Sequence, residues 1–416
     1  MSTTTQSMKW VSALSTKPSL EAAVREVVEQ VKTALPAPPD LGLVFISAAF
    51  ASEYARLLPL LQEMLPLPCL IGCSGGGVIG TLPQGEACEI EQKPALSLSV
   101  ATLPGVEVQS FYLTEDDLPD LDSPPHAWVE KIGVPPAAQP CFILMADPFT
   151  SSINELLQGL DFAYPGAVKV GSLASVSSLQ RSSGLFFDGT LHDEGVVGVA
   201  LSGNIVLDAI VAQGCRPIGQ TFRVVAGERN ILLELEDSND FGGATQTPLE
   251  ALQAILKELS QSDRELAQHS LQIGIAQDGF KENLHHGDFL IRNLLGVDPR
   301  IGAIAIGDRI RAGQRIQFHL RDARTSADDL EALLTRYQRQ MQSDPQVAPM
   351  GALMFSCMGR GEGLYQQPNF DSHLFNQYVG RVPLSGFFCG GEIGPIGGTT
   401  FLHGYTSVFG ICRPAV

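Results

Sequence analysis

Apolar residues recur every three to four positions in three segments, the spacing that places them on one face of a helix. The first segment, residues 20–35, ends before a cluster of prolines. The second, residues 247–259, opens with Thr247 and Glu250 in the spacing of a capping box. A third helix is predicted to begin after Ser326.

Runs rich in valine and isoleucine predict strands elsewhere. Residues 195–201 and 205–212 flank a short Ser-Gly-Asn segment, so they are expected to form a hairpin. A small meander is expected from residues 301–306, 308–311 and 315–321. Because helices and strands interleave, the predicted fold class is α/β, with mixed α+β layers.

A repeat is the most informative pattern in the chain. Residues 70–80 (LIGCSGGGVIG) and 384–394 (LSGFFCGGEIG) align without gaps and match at six of eleven positions. An apolar run precedes each copy, at 42–48 and 351–357, and a weaker third copy occupies residues 141–175. The repeated unit is strand, helix, strand and a turn of glycines or other small residues. The chain is therefore expected to contain two related halves built on this unit.

Composition narrows the class of protein. With 416 residues and 44% hydrophobic content, the chain can hold two or three domains with cores of their own. The net charge of −18, without basic clusters, argues against nucleic acid and anionic membranes as partners. No apolar run approaches the length of a membrane span, so no membrane insertion is expected. A polar N-terminus and eight cysteines without disulfide or zinc spacing indicate a cytoplasmic protein with reduced thiols and no metal.

Residues 71–80 match two unrelated active-site patterns. They contain the G-x-S-x-G of an esterase, centred on Ser74, and an overlapping G-x-G-x-x-G typical of a dinucleotide site. Both sites need a helix directly after the glycines, but the following residues include Pro83 and show no helical period. The second copy also carries Phe388 in place of Ser74. The sequence therefore rejects both patterns.

The two copies share their glycines, which have two compatible interpretations. In the structural one, the turn glycines adopt positive φ or let another segment pass close by. In the functional one, a glycine-lined turn leaves room and exposed amides for a small anion or carboxylate. The ligand-binding residues of the two turns would then be Ser74, Gly76, Gly77, Gly390 and Gly391.

Chemically versatile side chains concentrate in the C-terminal half. If the shared topology brings strand ends together, one pocket would collect Cys357, Arg360, Asp371, Glu392, His403 and Tyr405. Each has a structural alternative. In that alternative, Cys357 is a small buried hydrophobe, and Arg360 with Glu392 forms an ion pair between two loops. The alternation around His403 and Tyr405 predicts one strand with both side chains on the same face.

Seven segments in order along the chain resemble the FIST family. They are GCSG at 72–75, VGSLA at 170–174, QGCRPIG at 213–219, FLIRN at 289–293, FSCMGRG at 355–361, GFFCGGEIGP at 386–395 and LHGYT at 402–406. The resemblance divides the chain into an N-terminal helical extension at 1–38, a FIST N-terminal domain at 39–222 and a FIST C-terminal domain at 223–416.

The resemblance implies an intracellular sensory protein of signal transduction that binds a small ligand, such as an amino acid or a related carboxylate. It supplies no catalytic residue and no cofactor. The family's first turn commonly reads GCSTAGEI, and Val78 stands where its acid is expected, whereas Glu392 keeps the acid in the second copy. Ligand contact is therefore expected at the C-terminal turn. With no F-box or output segment recognised, the signal is expected to leave through a downstream signalling protein.

Two other functions stay open at this level. Cys357 could be the nucleophile of a hydrolase or transferase, with His403 as base and Asp371 or Glu392 orienting it. Alternatively, the chain is a non-catalytic scaffold for protein interaction, in which the glycine turns only pack the repeats together.

Overall fold

The computed structural model describes residues 7–35, 37–175, 183–238, 242–279, 281, 284, 286–343 and 348–415. The chain forms two compact units. Met1–Ala212 and Glu331–Val416 make up the first, and Gln213–Leu330 make up the second. The helices, numbered along the chain, are α1 (Leu20–Ala34), α2 (Tyr54–Met64), α3 (Pro125–Ile132), α4 (Ile153–Ala163), α5 (Pro248–Glu258), α6 (Gln261–Ser270), α7 (Ala323–Ser343), α8 (Gly361–Tyr365) and α9 (Phe370–Val379).

Within its described residues, the first unit contains three six-stranded sheets with the same internal plan. Strands are also numbered along the chain. In sheet order, the first sheet is β1 (Lys9–Ser15), β6 (Leu96–Thr102), β2 (Leu41–Ser47), β3 (Leu70–Gly75), β10 (Leu185–Phe187) and β11 (Thr190–His192). The second is β7 (Val106–Leu113), β12 (Val196–Gly203), β8 (Cys141–Ala146), β9 (Lys169–Leu173), β22 (Glu392–Ile396) and β23 (Thr399–His403). The third is β13 (Val206–Ala212), β24 (Ser407–Arg413), β20 (Gly351–Cys357), β21 (Leu384–Cys389), β4 (Gly77–Thr81) and β5 (Ala87–Glu91).

A helical crossover links the two central strands of each sheet. Helix α2 joins β2 to β3, α4 joins β8 to β9, and α9 joins β20 to β21. Each linked pair is parallel, which a crossover connection allows and a tight turn does not. The α/β fold and the repeated strand-helix-strand unit are therefore confirmed. The weak third copy at residues 141–175 is one of three equivalent units.

The strand that follows each repeated unit pairs with the sheet of another unit. After β3, strand β4 pairs with β21; after β9, strand β10 pairs with β3; after β21, strand β22 pairs with β9. The exchange is cyclic, so each unit completes its neighbour. A strand thus follows the glycine turn where the esterase and dinucleotide patterns need a helix.

One glycine in each unit permits the central parallel pair to form. A Cβ on Gly72, Gly171 or Gly386 would lie 1.9 Å from a carbonyl oxygen of the adjacent strand. No side chain fits at that distance, so the backbones approach only because these positions are glycine. This shared contact is the structural basis of the glycine matches in the repeat.

The inner faces of the three sheets enclose one hydrophobic core. Phe45, Met145 and Phe355, one from each sheet, are fully buried in it. Helices cover the outer faces. Helix α1 shows why the sequence pattern worked: its valines at 24, 27, 28 and 31 are all buried, and Ser19 caps its first turn.

The second unit is built on a closed barrel. Its strands in order are β14 (Cys215–Glu228), β15 (Ile231–Asp237), β18 (Ala303–Ile306), β17 (Phe289–Asp298), β16 (Leu271–Ala276) and β19 (Arg315–Arg321). The predicted capping box of α5 is confirmed, because Thr247 Oγ1 accepts from Glu250 N at 3.2 Å and Glu250 Oε2 accepts from Thr247 N at 2.8 Å. The predicted domain boundary between residues 222 and 223 falls inside β14.

Three local predictions are wrong, two because long-range strand partners outweigh local pattern and one because a helix cap lies earlier than expected. The expected hairpin at 195–212 does not form, since β12 pairs with β7 and β8 whereas β13 pairs with β24 in another sheet. The expected meander fails because residues 308–311 are not a strand and β18 and β19 have different barrel partners. Helix α7 begins at Ala323 instead of after Ser326, since Asp322 Oδ1 accepts from Thr325 N at 2.7 Å and supports an earlier first turn.

Candidate functional site

The three turns that end the repeated units meet at one place in the first unit. We call residues 74–77, 172–175 and 388–391 the three-turn junction. Ser175 N donates to Ser74 O at 3.0 Å, Gly76 N donates to Phe388 O at 2.9 Å, and Leu173 N donates to Gly391 O at 2.8 Å. Each turn is therefore bonded to another through its backbone, as the cyclic strand exchange requires.

The glycines of the first turn allow close approach of neighbouring segments. Gly76, Gly77 and Gly80 do not have left-handed φ values. A Cβ on Gly76 would lie 2.6 Å from Met358 Sδ, and one on Gly77 would lie 2.7 Å from a backbone oxygen of β5. Of the two structural explanations offered by the sequence, the expected positive φ is wrong and close approach is correct.

The two turns differ in accessibility. Ser74 is fully buried, and its hydroxyl donates to Ser175 O at 3.1 Å. Gly76 is half-buried and its amide is already bonded across the junction. Gly390 is exposed, and the nearest atom to a Cβ built on it is 3.9 Å away. The C-terminal turn therefore offers more open space than the N-terminal one.

Beside the C-terminal turn lies a buried ion pair. Arg360, directly before α8, is fully buried, and its guanidinium binds both carboxylate oxygens of Asp371, at 2.7 and 3.0 Å. Arg360 also donates to the Tyr365 hydroxyl at 2.6 Å. The ion pair considered between Arg360 and Glu392 is thus formed with Asp371 instead, because α9 presents Asp371 from its first turn.

A buried acid and two thiols lie next to this pair. Glu392 Oε1 accepts from Cys389 Sγ at 3.2 Å, and Oε2 accepts from Thr406 N at 3.0 Å. The thiol of Cys357, the last residue of β20, also hydrogen-bonds to Glu392. Burial raises the pKa of Glu392 to about 8, although the nearby Arg360 charge opposes this rise. The acid is therefore predominantly neutral at pH 7.

Two predicted site residues occupy different environments from those expected. His403 ends β23 opposite Glu392, and its Nε2 donates to Gly394 O at 3.0 Å. Tyr405 does not continue that strand: it lies in the turn before β24 with φ of 60°. The predicted common strand face for His403 and Tyr405 is wrong, since β23 ends at His403 and Tyr405 lies outside the strand.

A row of acids on β5 holds the segment that carries Arg360 and Asp371. Glu91 Oε1 accepts from Glu362 N at 2.8 Å, and Glu89 Oε1 accepts from Ser372 N at 2.7 Å. Glu86, next to β5, lies 3.3 Å from His373 Nε2. We call Glu86, Glu89 and Glu91 the acidic clamp.

Glu89 is the buried member of the acidic clamp. It is 5% exposed, and burial together with the nearby Asp371 charge raises its pKa to about 8. The sequence analysis missed all three clamp residues and Cys389. Glu89 and Glu91 at alternate positions of one strand were the available signal, but the sequence does not show which helix covers them.

The positions of these side chains affect the catalytic and metal-binding roles that the site could have. The Asp371 carboxylate is bound by Arg360, so the base-orienting bond expected from Asp371 to His403 is replaced by an ion pair. Across the described ranges, no group of three or more His, Cys, Asp or Glu side chains is placed to hold a metal ion. Every helix in those ranges is too short or too polar to cross a bilayer.

Comparison with known proteins identifies the family. The FIST N domain matches residues 40–238 and the FIST C domain matches residues 248–395. The chain belongs to the FIST family, whose domains are known as sensory domains. The three-turn junction therefore lies in a chain made of FIST N and FIST C domains.

Two of the relatives span most of the chain, and a third spans a quarter of it. An uncharacterized protein of Mycobacterium tuberculosis strain H37Rv is 32% identical over 395 residues, covering 95% of this chain and 97% of its own. An uncharacterized protein of Mycobacterium bovis is 33% identical over 393 residues, covering 94% and 95%. An F-box/LRR-repeat protein of Arabidopsis thaliana is 31% identical over 118 residues, covering 25% of this chain and 22% of its own.

One solved structure aligns with most of the chain at a low TM-score. It is a cyanuric acid hydrolase from A. caulinodans, with a TM-score of 0.31 and 9% identity, covering 97% of this chain and 99% of the hydrolase. At that score and identity, the similarity carries no inference about activity.

Proposed function

We propose that this FIST protein is a sensor that binds a small ligand at the C-terminal turn of the three-turn junction. The ligand class proposed is an amino acid or a related carboxylate. The observation that carries the proposal is the exposed Gly390 turn, which adjoins the buried group of Cys357, Arg360 and Glu392. A small number of placed polar groups is what orients a ligand in a small-molecule site, and this turn gives access to such groups.

The charge balance of this group suits a carboxylate. Arg360 is balanced by Asp371, while Glu392 and Glu89 are largely protonated below pH 8. The buried group is then close to neutral overall, and a ligand carboxylate meets no unbalanced negative charge. A protonated Glu392 can also donate a hydrogen bond to an incoming oxygen.

The proposal also assigns the residues that would contact the ligand. Gly390 and Gly391 would contribute backbone amides, and Cys357, His403 and Tyr405 would shape the walls. Ser74, Gly76 and Gly77 would act from the facing turn, where Val78 is fully buried in the apolar core and offers no polar contact. We propose that the protein acts in the cytoplasm and passes its signal to a partner protein.

A ligand screen with variants at position 392 tests the proposal. Thermal unfolding of the full chain is measured in the presence of amino acids, dicarboxylates and their amides. At a concentration of 100 times Kd, a true ligand adds about 2.7 kcal/mol to the free energy of unfolding. Glu392→Val introduces the residue found at the equivalent position of the first copy and should abolish the shift. Glu392→Gln, which retains a donor and an acceptor, should preserve most of it.

The control is Glu107→Gln, which changes an exposed glutamate on β7 of the same unit. Each variant is compared with its own ligand-free form, so that lost stability is not mistaken for lost binding. A ligand that shifts Glu392→Val as much as the unchanged protein would place binding elsewhere. Absence of any shift across the panel would contradict the proposed ligand class.

A further inference from the structure

Two cysteines occupy matching positions at the ends of neighbouring strands. Cys357 ends β20, Cys389 ends β21, and the two residues are direct partners in the parallel register. Neighbouring strands lie roughly 4.7–4.9 Å apart. Disulfides form when the two Cα atoms are about 4.4–6.8 Å apart. Since paired residues of parallel strands project to the same face, this backbone spacing accommodates a bridge.

The two sulfur atoms also converge on one acceptor. Cys389 Sγ donates to Glu392 Oε1 at 3.2 Å, and the Cys357 thiol hydrogen-bonds to the same carboxyl. Cys357 is 9% exposed and adjoins Met358, which is 53% exposed, whereas Cys389 is fully buried. A small oxidant therefore meets Cys357 first, with Cys389 directly behind it.

We propose that Cys357 and Cys389 form a redox-active dithiol that a hydroperoxide converts to a disulfide. In the first step the Cys357 sulfur attacks one peroxide oxygen, an S–O bond forms and the O–O bond breaks, and the thiol proton passes to the leaving oxygen, so that Cys357 becomes a sulfenic acid and an alcohol or water leaves. In the second step Cys389 Sγ attacks the sulfenic sulfur, the S–O bond breaks, and water leaves with the thiol proton. The two thiols lose two electrons in total, and the peroxide gains them.

Oxidation has a direct consequence for the proposed ligand site, although the dithiol itself does not depend on that proposal. The disulfide removes both S–H donors from Glu392 and leaves Thr406 N as its backbone donor. The two thiol bonds favour the ionised form of Glu392, so their loss shifts the acid further toward its neutral form. The redox state thereby changes the hydrogen-bonding properties of the C-terminal turn.

Thiol trapping with peptide mapping tests the proposal on the full chain. Reduced protein is treated with hydrogen peroxide, free thiols are blocked with N-ethylmaleimide, and the protein is digested without reduction. Trypsin releases Cys357 in residues 340–360, and chymotrypsin separates Cys389 from Cys412 by cleaving after Phe409. The expected result is a cross-linked pair containing Cys357 and Cys389, which dithiothreitol converts back to two alkylatable thiols.

Three variants make the result specific. Cys357→Ser and Cys389→Ser should each lose the cross-linked pair, whereas Cys88→Ser, at a half-buried cysteine of β5, should retain it. Full alkylation of both cysteines after peroxide treatment would overturn the proposal. So would a bridge from Cys357 to any other cysteine, or one that joins two chains on a non-reducing gel.

Discussion

The buried Glu89 makes folding stability depend on pH, and one substitution should remove its contribution. Its carboxyl accepts from Ser372 N at 2.7 Å, lies near Asp371 and has a pKa of about 8 in the folded protein against an ordinary value of 4.5. Glu89→Gln keeps the side-chain shape and the acceptor oxygen but cannot lose a proton. The variant therefore reproduces the neutral state of Glu89 at every pH.

The magnitude follows from the two pKa values. Between pH 4.5 and 8 the folded protein keeps a proton on Glu89 that the unfolded chain releases, so the free energy of unfolding falls as pH rises. The contribution is about 1.4 kcal/mol per pH unit, or about 5 kcal/mol across the whole window. Relative to the unchanged protein, Glu89→Gln should be nearly neutral in effect at pH 4.5 and stabilising by up to about 5 kcal/mol at pH 8.

Urea unfolding at several pH values and constant ionic strength measures this difference. Glu107→Gln serves as the control, because it changes an exposed glutamate by the same chemistry. Both variants should retain some pH dependence of the free energy of unfolding, since burial also raises the pKa of Glu392. If the curves of Glu89→Gln and the unchanged protein stay parallel from pH 4.5 to 8, Glu89 is not protonated in the fold and the reasoning is refuted.

Three further predictions concern the fold and the buried ion pair. Arg360→Leu should destabilise the first unit by about 3–5 kcal/mol in urea unfolding, because it leaves Asp371 buried without its partner; an effect below 1 kcal/mol would contradict this. Alanine at Gly72, Gly171 or Gly386 should abolish or severely reduce soluble expression, since the new Cβ meets a carbonyl oxygen, whereas Gly390→Ala should express normally. Thr247→Ala should cost about 0.5–2 kcal/mol and speed amide exchange in the first turn of α5, because the capping box is lost; unchanged exchange there would count against the cap.

Sequence pattern predicted the repeated unit well because the backbone contacts that require its glycines lie within each unit. The glycines at 72 and 386 match since the same close backbone contact recurs in each unit, and Gly171 completes the set. Helices α1 and α5 were found because each has its own cap and buried face. The helix caps are determined within a few residues of the chain, and each glycine contact is determined within one repeated unit.

Strand partners and site contacts were not predictable in the same way. The strands after each glycine turn pair with another unit, and no short-range pattern marks that exchange. The sequence suggested Glu392 as the ion-pair partner of Arg360, whereas the placement of α9 makes Asp371 the partner. Glu89 lies on β5, which is far from Arg360 in the chain and reaches the site because β5 pairs with β4 and β4 pairs with β21.

Native mass spectrometry of protein isolated from its native host under reducing, non-denaturing conditions tests the central claim most directly. We predict that the unchanged chain retains a small-molecule mass of an amino acid or related carboxylate, released on denaturation, and that Glu392→Val loses that mass while Glu107→Gln keeps it. Retention of the same mass by Glu392→Val, or a ligand-free mass for all three chains, would contradict ligand binding at the C-terminal turn.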